Sequence, residues 1–237
     1  MENRWDDTLS FDDPIEECVY GSRLIGADPS LVLHGGGNTS VKADWTDVTG
    51  DVVDALYVKG SGWDLASIEV PGFTPLPIAR LHQLLTLDSL SDPDMVAALS
   101  AARLDPASPQ PSVETLLHAL LPHRAVLHSH ADVIVALTNL ANGEDVVTEA
   151  LGGDVLVVPY VMPGFDLAKV VAEMWPRAAT DRTIGMVLMN HGLFTFGETT
   201  SLAYERHVEL ITRAEKWLAA RASPPASAPR LEDVDRV

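Results

Sequence analysis

Two histidines, His128 and His130, close an apolar run in the segment Ala125-Val126-Leu127-His128-Ser129-His130-Ala131-Asp132. In an extended chain, residues i and i+2 project from one face about 6.5–7 Å apart, so the two imidazoles point the same way. Rings so placed can converge on one cation, with metal–nitrogen distances of about 2.0–2.1 Å. The pair alone reads equally well as a chelate or as a chance hydrogen-bonded pair. Two further residues favour the chelate. His191, in Met189-Asn190-His191-Gly192, lies between an apolar strand and a glycine, where a turn can aim a side chain inward. Glu114, in Pro111-Ser112-Val113-Glu114, falls in the first turn of a predicted helix just ahead of the His-x-His strand. Three imidazoles and a carboxylate form a borderline-soft donor set suited to zinc, or to another divalent first-row metal such as Mn2+ or Fe2+. A carboxylate that leaves the metal when substrate arrives becomes a base beside a Lewis acid.

A second half-site is suggested by two glycine-rich pieces, His34 to Lys42 (HGGGNTSVK) and Val58 to Gly62 (VKGSG). Both put glycines, hydroxyls and a lysine at strand ends, where exposed N–H groups form anion nests. Neither matches a nucleotide-binding P-loop or a dinucleotide fingerprint, and most glycine turns are only turns. Ser112 reads either as an ordinary N-cap or as a hydroxyl set beside an anion at the start of the Glu114 helix.

The elements that must position these groups alternate. Helices are predicted over 14–27 behind the Asp13 cap, 77–87, 93–103, 112–121, 133–140, 166–177 and 199–220. Strands are predicted over 31–33, 40–43, 55–58, 125–130, 155–158, 184–189 and 193–196. This is an α/β or α+β pattern with one core. The predicted domain runs over 1–221, followed by a proline-rich tail or linker over 222–237. The other histidines read blandly. His118 lies one turn after Glu114 on the same helix face, either as a packed residue or as a hydrogen-bond partner of the site. His82 and His207 sit in helices at the surface or half buried, and His34 borders the glycine turn.

The bulk properties exclude several classes. The 237 residues are 46% hydrophobic, with a net charge of −18; the acidity argues against a nucleic-acid or anionic-membrane partner. No apolar run is long enough to span a bilayer, and the acidic N-terminus has no secretory core. The single cysteine, Cys18, rules out an intrachain disulfide and a cysteine-rich zinc site. It reads as filler, and the expected location is cytoplasmic.

Taken in order, Asn38 in GGGNTS, KGSG, Ser112 with Glu114, His128-x-His130 and His191 in NHG resemble the class II aldolase/adducin family. The resemblance covers roughly residues 12 to 221. The wording of PSVETLLHALLP, VKGSGWDLA and PYVMPGFDLAK is most similar to the aldolase part of bifunctional rhamnulose-phosphate aldolase/dehydrogenase proteins. No GxGxxG segment follows here, so a free-standing aldolase-like protein or a piece of a longer chain is expected. The resemblance implies a three-layer α/β fold with a central, largely antiparallel sheet flanked by helices. It implies zinc on His128, His130 and His191, with Glu114 as resting ligand and acid/base. It implies a substrate phosphate held by Asn38, Ser61, Gly62 and Ser112, and a homotetramer in which Tyr160 serves the aldehyde oxygen at a neighbouring subunit's site. The implied reaction is retro-aldol cleavage of a phosphorylated ketose to dihydroxyacetone phosphate and an aldehyde, through a metal-stabilised enediolate. KGSG departs from the TPSG-like turn common in the family's aldolases, and Lys59 adds charge for a phosphate or carboxylate. Glutamate at 114, where the family's epimerases usually carry aspartate, favours C–C cleavage. A decarboxylase of a 3-oxo sugar-acid phosphate and a metal-free, adducin-like interaction module remain the alternatives.

Overall fold

The computed structural model describes residues 1–221, so the tail expected over 222–237 lies outside the described residues. Helix α1 (Pro14–Gly26) begins where its cap dictates: the Asp13 side chain accepts the Ile15 N–H at 2.8 Å, and Pro14 fills the first turn. A glycine loop leads to β1 (Asn38–Thr46), which forms a hairpin with β2 (Val52–Lys59). Then follow β3 (Phe73–Pro77), α2 (Ile78–Leu85), α3 (Asp92–Ala101), α4 (Thr115–Leu120) and β4 (Ala125–Ser129). The rest of the domain is α5 (Asp132–Thr138), α6 (Gly143–Leu151), β5 (Val155–Val158), α7 (Phe165–Ala178), β6 (Gly185–Leu188), β7 (Gly192–Gly197) and α8 (Thr200–Ala219).

The seven strands form one sheet in the order β3-β2-β1-β4-β7-β6-β5. Every neighbouring pair is antiparallel except β5 with β6, which is parallel. Alternation along each strand divides the apolar side chains between two faces. Val126, Phe194 and Leu188 pack with Leu81 of α2, Leu99 of α3, Leu117 of α4 and Phe165 of α7. Leu127, Val187 and Leu193 pack on the other face with Ile25 of α1, Ile134 of α5, Val147 of α6 and Ile211 of α8. The result is a three-layer α/β domain with a largely antiparallel central sheet.

Several expectations need correction. Residues 31–33 do not form a strand: Leu31 and Val32 are buried, but their N–H groups turn back to the Asp28 carbonyl at 3.0 and 3.3 Å. The sequence pattern gives no strand at β3, because it carries Pro75 and Pro77; it lies at the sheet edge, where a missing N–H is tolerated. Helix α6 is likewise absent from the sequence pattern. The helix expected over 112–121 begins only at Thr115, and Glu114 precedes it at φ −89°, ψ 7° instead of lying in its first turn. Strand β4 ends at Ser129, so His130 stands one residue beyond it.

Antiparallel pairing explains how distant segments meet. The end of one strand lies beside the start of its neighbour, so the ends of β2 and β4 and the starts of β1 and β7 gather on one edge. Asn38 pairs directly with His128, and Ser129 with Leu193. Gly192 permits the closest of these approaches: a Cβ there would stand 2.2 Å from the Ser129 carbonyl oxygen and 3.0 Å from His128 Cε1. The obstacle is backbone and cannot rotate away. Gly192→Ala is therefore expected to cost about 1–3 kcal/mol of stability, read from urea denaturation midpoints; an unchanged midpoint would contradict this packing.

Candidate active site

The three histidines come together. Ring centroids are 4.9 Å apart for His128–His130, 5.0 Å for His128–His191 and 5.2 Å for His130–His191. One nitrogen of each lies within 4.8 Å of the others. His191 is aimed by a tight turn between β6 and β7, in which Asn190 takes a left-handed φ of 57°, a conformation asparagine tolerates better than most residues. Glu114 joins from the α4 side. Its Oε2 lies 3.5 Å from His128 Nε2 and its Oε1 lies 3.4 Å from His191 Nε2.

The donor atoms are prepared for a cation. His128 Nδ1 donates to the Leu193 carbonyl at 3.1 Å, which leaves a lone pair on Nε2. That Nε2 and Glu114 Oε1 are buried without a hydrogen-bond partner among the described residues. Buried polar atoms are rarely left so, and a divalent ion would satisfy both. Burial also holds the imidazoles neutral, as metal ligation requires. It pushes His191 down to about 4, aided by neighbouring His130, and His128 well below the ordinary range, aided by His191 and His130. His130 is lowered by burial and by the Lys59 charge. Burial pushes Glu114 up to about 7, opposed by the Asn38 hydrogen bond and the Lys59 charge. Its proton is thus poised for exchange near neutral pH in the metal-free site.

Beside this cluster is a cavity of about 190 Å3, lined by Gly35, Gly36, Gly37, Asn38, Lys59, Ser61, Gly62, Ser112, Val113, Glu114 and His130. All four residues assigned to an anion, Asn38, Ser61, Gly62 and Ser112, line this one space. Asn38 Nδ2 donates to Glu114 Oε2 at 2.6 Å and to Ser112 Oγ at 3.1 Å. Lys59 is 3% exposed and donates to the Gly35 carbonyl at 3.0 Å. Tyr160 is not brought to the cavity: it is 54% exposed, and its hydroxyl lies 3.9 Å from Met162 Sδ. His34 is exposed and does not line the cavity. Cys18 is filler as expected, fully buried with its thiol pushed up to about 12 by desolvation.

Two histidines carry more than their sequence positions suggest. His118 is fully buried and bonded to Asn38 and to Ser40. His207 is fully buried too, instead of lying at or near the surface. Its Nε2 meets Ser129 Oγ at 2.7 Å, and its Nδ1 meets Thr195 Oγ1 at 2.9 Å. The spacing from Glu114 to His118 signals the first; nothing local in sequence signals the second.

The Class II Aldolase and Adducin N-terminal domain matches residues 16–218. The chain belongs to the class II aldolase and adducin family. Over 224 residues this aldolase-family domain is 39% identical to a protein of Bacillus subtilis (strain 168) described as the uncharacterized oxidoreductase YuxG. That alignment covers 93% of the domain's chain but 32% of YuxG, so the chain spans about a third of that relative. Its fold matches the N-terminal class II aldolase domain of a conserved Thermoplasma acidophilum protein, with a TM-score of 0.85 and 45% identity. This match covers 92% of the present chain and 99% of the other. The L-fuculose-1-phosphate aldolase of Thermus thermophilus has a TM-score of 0.55 at 19% identity, covering 87% and 96% of the two chains. At that distance the likeness is one of fold.

The buried rings make stability pH-dependent. Burial holds His118 and His207 down to about 3, so below the ordinary value of 6.5 the unfolded chain takes up protons that the folded one refuses. Stability is present at neutral pH and is lost as pH falls; between about pH 7 and pH 5 each ring removes about 2 kcal/mol. The raised Glu114 acts in the opposite sense, but as one group against several. Metal-free protein is therefore expected to unfold at lower urea at pH 5 than at pH 7, with a smaller difference for His207→Gln. Equal midpoints at the two pH values would contradict the neutral, buried assignment.

Proposed function

We propose that this domain is a zinc-dependent aldolase. It cleaves a phosphorylated ketose of the rhamnulose- or fuculose-1-phosphate type to dihydroxyacetone phosphate and an aldehyde. One observation carries the reading: Glu114 touches two of three converging imidazoles and, through Asn38, borders a cavity lined by anion-binding groups. His128, His130 and His191 would hold the ion, with Glu114 as the fourth ligand in the resting site. When bound, the cation supplies Lewis-acid stabilisation of the negative charge that develops on the ketose oxygens, worth several kcal/mol.

The chain's own groups do the rest. Asn38, Ser61, Gly62 and Ser112 bind the phosphate and fix the ketose carbons relative to Glu114, while Lys59 supplies the positive charge lining the cavity. In cleavage the hydroxyl on C4 passes its proton to the Tyr160 oxygen of a neighbouring copy, which hands its own to water, the C3–C4 bond breaks, and the electron pair passes to C3. Glu114 delivers a proton to that carbon and takes it back in the synthetic direction. Once released from the ion by the incoming substrate, the carboxylate is free to carry that proton in either direction. Tyr160, exposed beyond β5, serves the aldehyde oxygen at the site of a neighbouring copy in a homotetramer. The single, buried Cys18 accords with action in the cytoplasm.

Glu114→Gln keeps a ligand-sized amide but cannot move the proton. It is expected to retain the metal and lose turnover by a factor on the order of 10²–10⁴. The assay follows aldehyde and CO₂ release across a panel of sugar and sugar-acid phosphates. CO₂ in place of aldehyde, or full turnover by Glu114→Gln, would overturn the proposal.

A further inference from the structure

We propose that His118 is a positioning residue that fixes which way the Asn38 amide faces, and through it the orientation of Glu114. Its place comes from two spacings. Asn38 and Ser40 are two apart on β1, about 6.6 Å along one strand face. Glu114 caps α4 and His118 lies four residues on, its N–H donating to the Glu114 carbonyl at 3.2 Å. Asn38 therefore meets both Glu114 and His118, and His118 meets both Asn38 and Ser40.

The direction of each bond follows from what each atom can do. An ionised Glu114 Oε2 only accepts, so the amide nitrogen of Asn38 must face it, at 2.6 Å. The second amide hydrogen lies 3.1 Å from Ser112 Oγ at the cavity wall, where a bound phosphate can take it over. Asn38 Oδ1 then faces His118 and can only accept, so His118 Nε2 carries the proton. The remaining ring nitrogen, Nδ1, has a lone pair and accepts from Ser40 Oγ at 2.7 Å. The donors run one way: Ser40 to His118, His118 to Asn38, Asn38 to the carboxylate. Bonds in such a line polarise one another in a dry interior. His118 has no exposure and does not line the cavity, so it acts through Asn38 and not on substrate. Without its N–H, Asn38 could rotate and turn its carbonyl oxygen against the Glu114 carboxylate.

The ring proton can be observed directly. In two-bond 1H–15N correlation spectra of labelled, zinc-loaded protein, His118 is expected to carry its proton on Nε2; a proton on Nδ1 overturns the assignment. Substitution gives the second arm. His118→Phe fills the ring space without a donor, whereas His118→Gln places an amide N–H near the lost Nε2. Turnover is expected to fall roughly 10–100-fold in the phenylalanine variant, with most of it restored in the glutamine variant and zinc content equal in both. Equal losses in the two variants, or none in either, contradict the positioning role. This arm rests on the aldolase reading. If the wild type cleaves no ketose phosphate, that reading fails, and the Nε2 spectrum alone decides for or against His118.

Discussion

The pairing of β1 with β4 holds the site in place. It sets Asn38 directly across from His128, so a glycine loop near the start of the chain meets a metal-binding pattern from its middle. The β4–β7 register then brings Ser129 beside Leu193, and with it the turn that aims His191. A slip of one residue in either ladder would turn His128 to the other face of the sheet. The apolar neighbours guard against such a slip: Val126 and Leu127 belong to opposite cores. The register that fills both cores is the one that gathers the imidazoles.

Burial then gives these groups their chemical character. A chain with a net charge of −18 places here a cluster of neutral rings, one carboxyl group with a raised proton affinity and one buried lysine. Desolvation disfavours every charged form, so the rings keep their lone pairs and Glu114 holds its proton more tightly. A cation bound among them would reverse that balance for Glu114 and favour its ionised form. Two further buried histidines flank the centre. His118 lies on the α4 side and His207 on the α8 side, where it meets Ser129 between two of the proposed ligands.

Much of this was legible in the sequence because it was periodic or capped. His128 and His130 keep the two-residue spacing although β4 ends between them, the cap Asp13-Pro14 marks α1, and 155–158 forms β5 as read. The misses have physical causes. Residues 31–33 are apolar and short, and a short apolar run packs equally well in a turn. Pro75 and Pro77 argue against a strand unless it lies at an edge, and edge position is set by the whole sheet. His207 is buried by contacts with Ser129 and Thr195, and its partner Ser129 is 78 residues away. Tyr160 lies on the surface of the chain and away from the cavity, where the resemblance implied a role at the site.

Three imidazoles from two separated segments would grip the proposed divalent ion beside Glu114. An anomalous-scattering map at the zinc absorption edge, from crystals of zinc-loaded protein, tests this binding most directly. One dominant peak bounded by His128, His130 and His191 is expected. A map with no peak there, or with its peak elsewhere on the molecule, would contradict it.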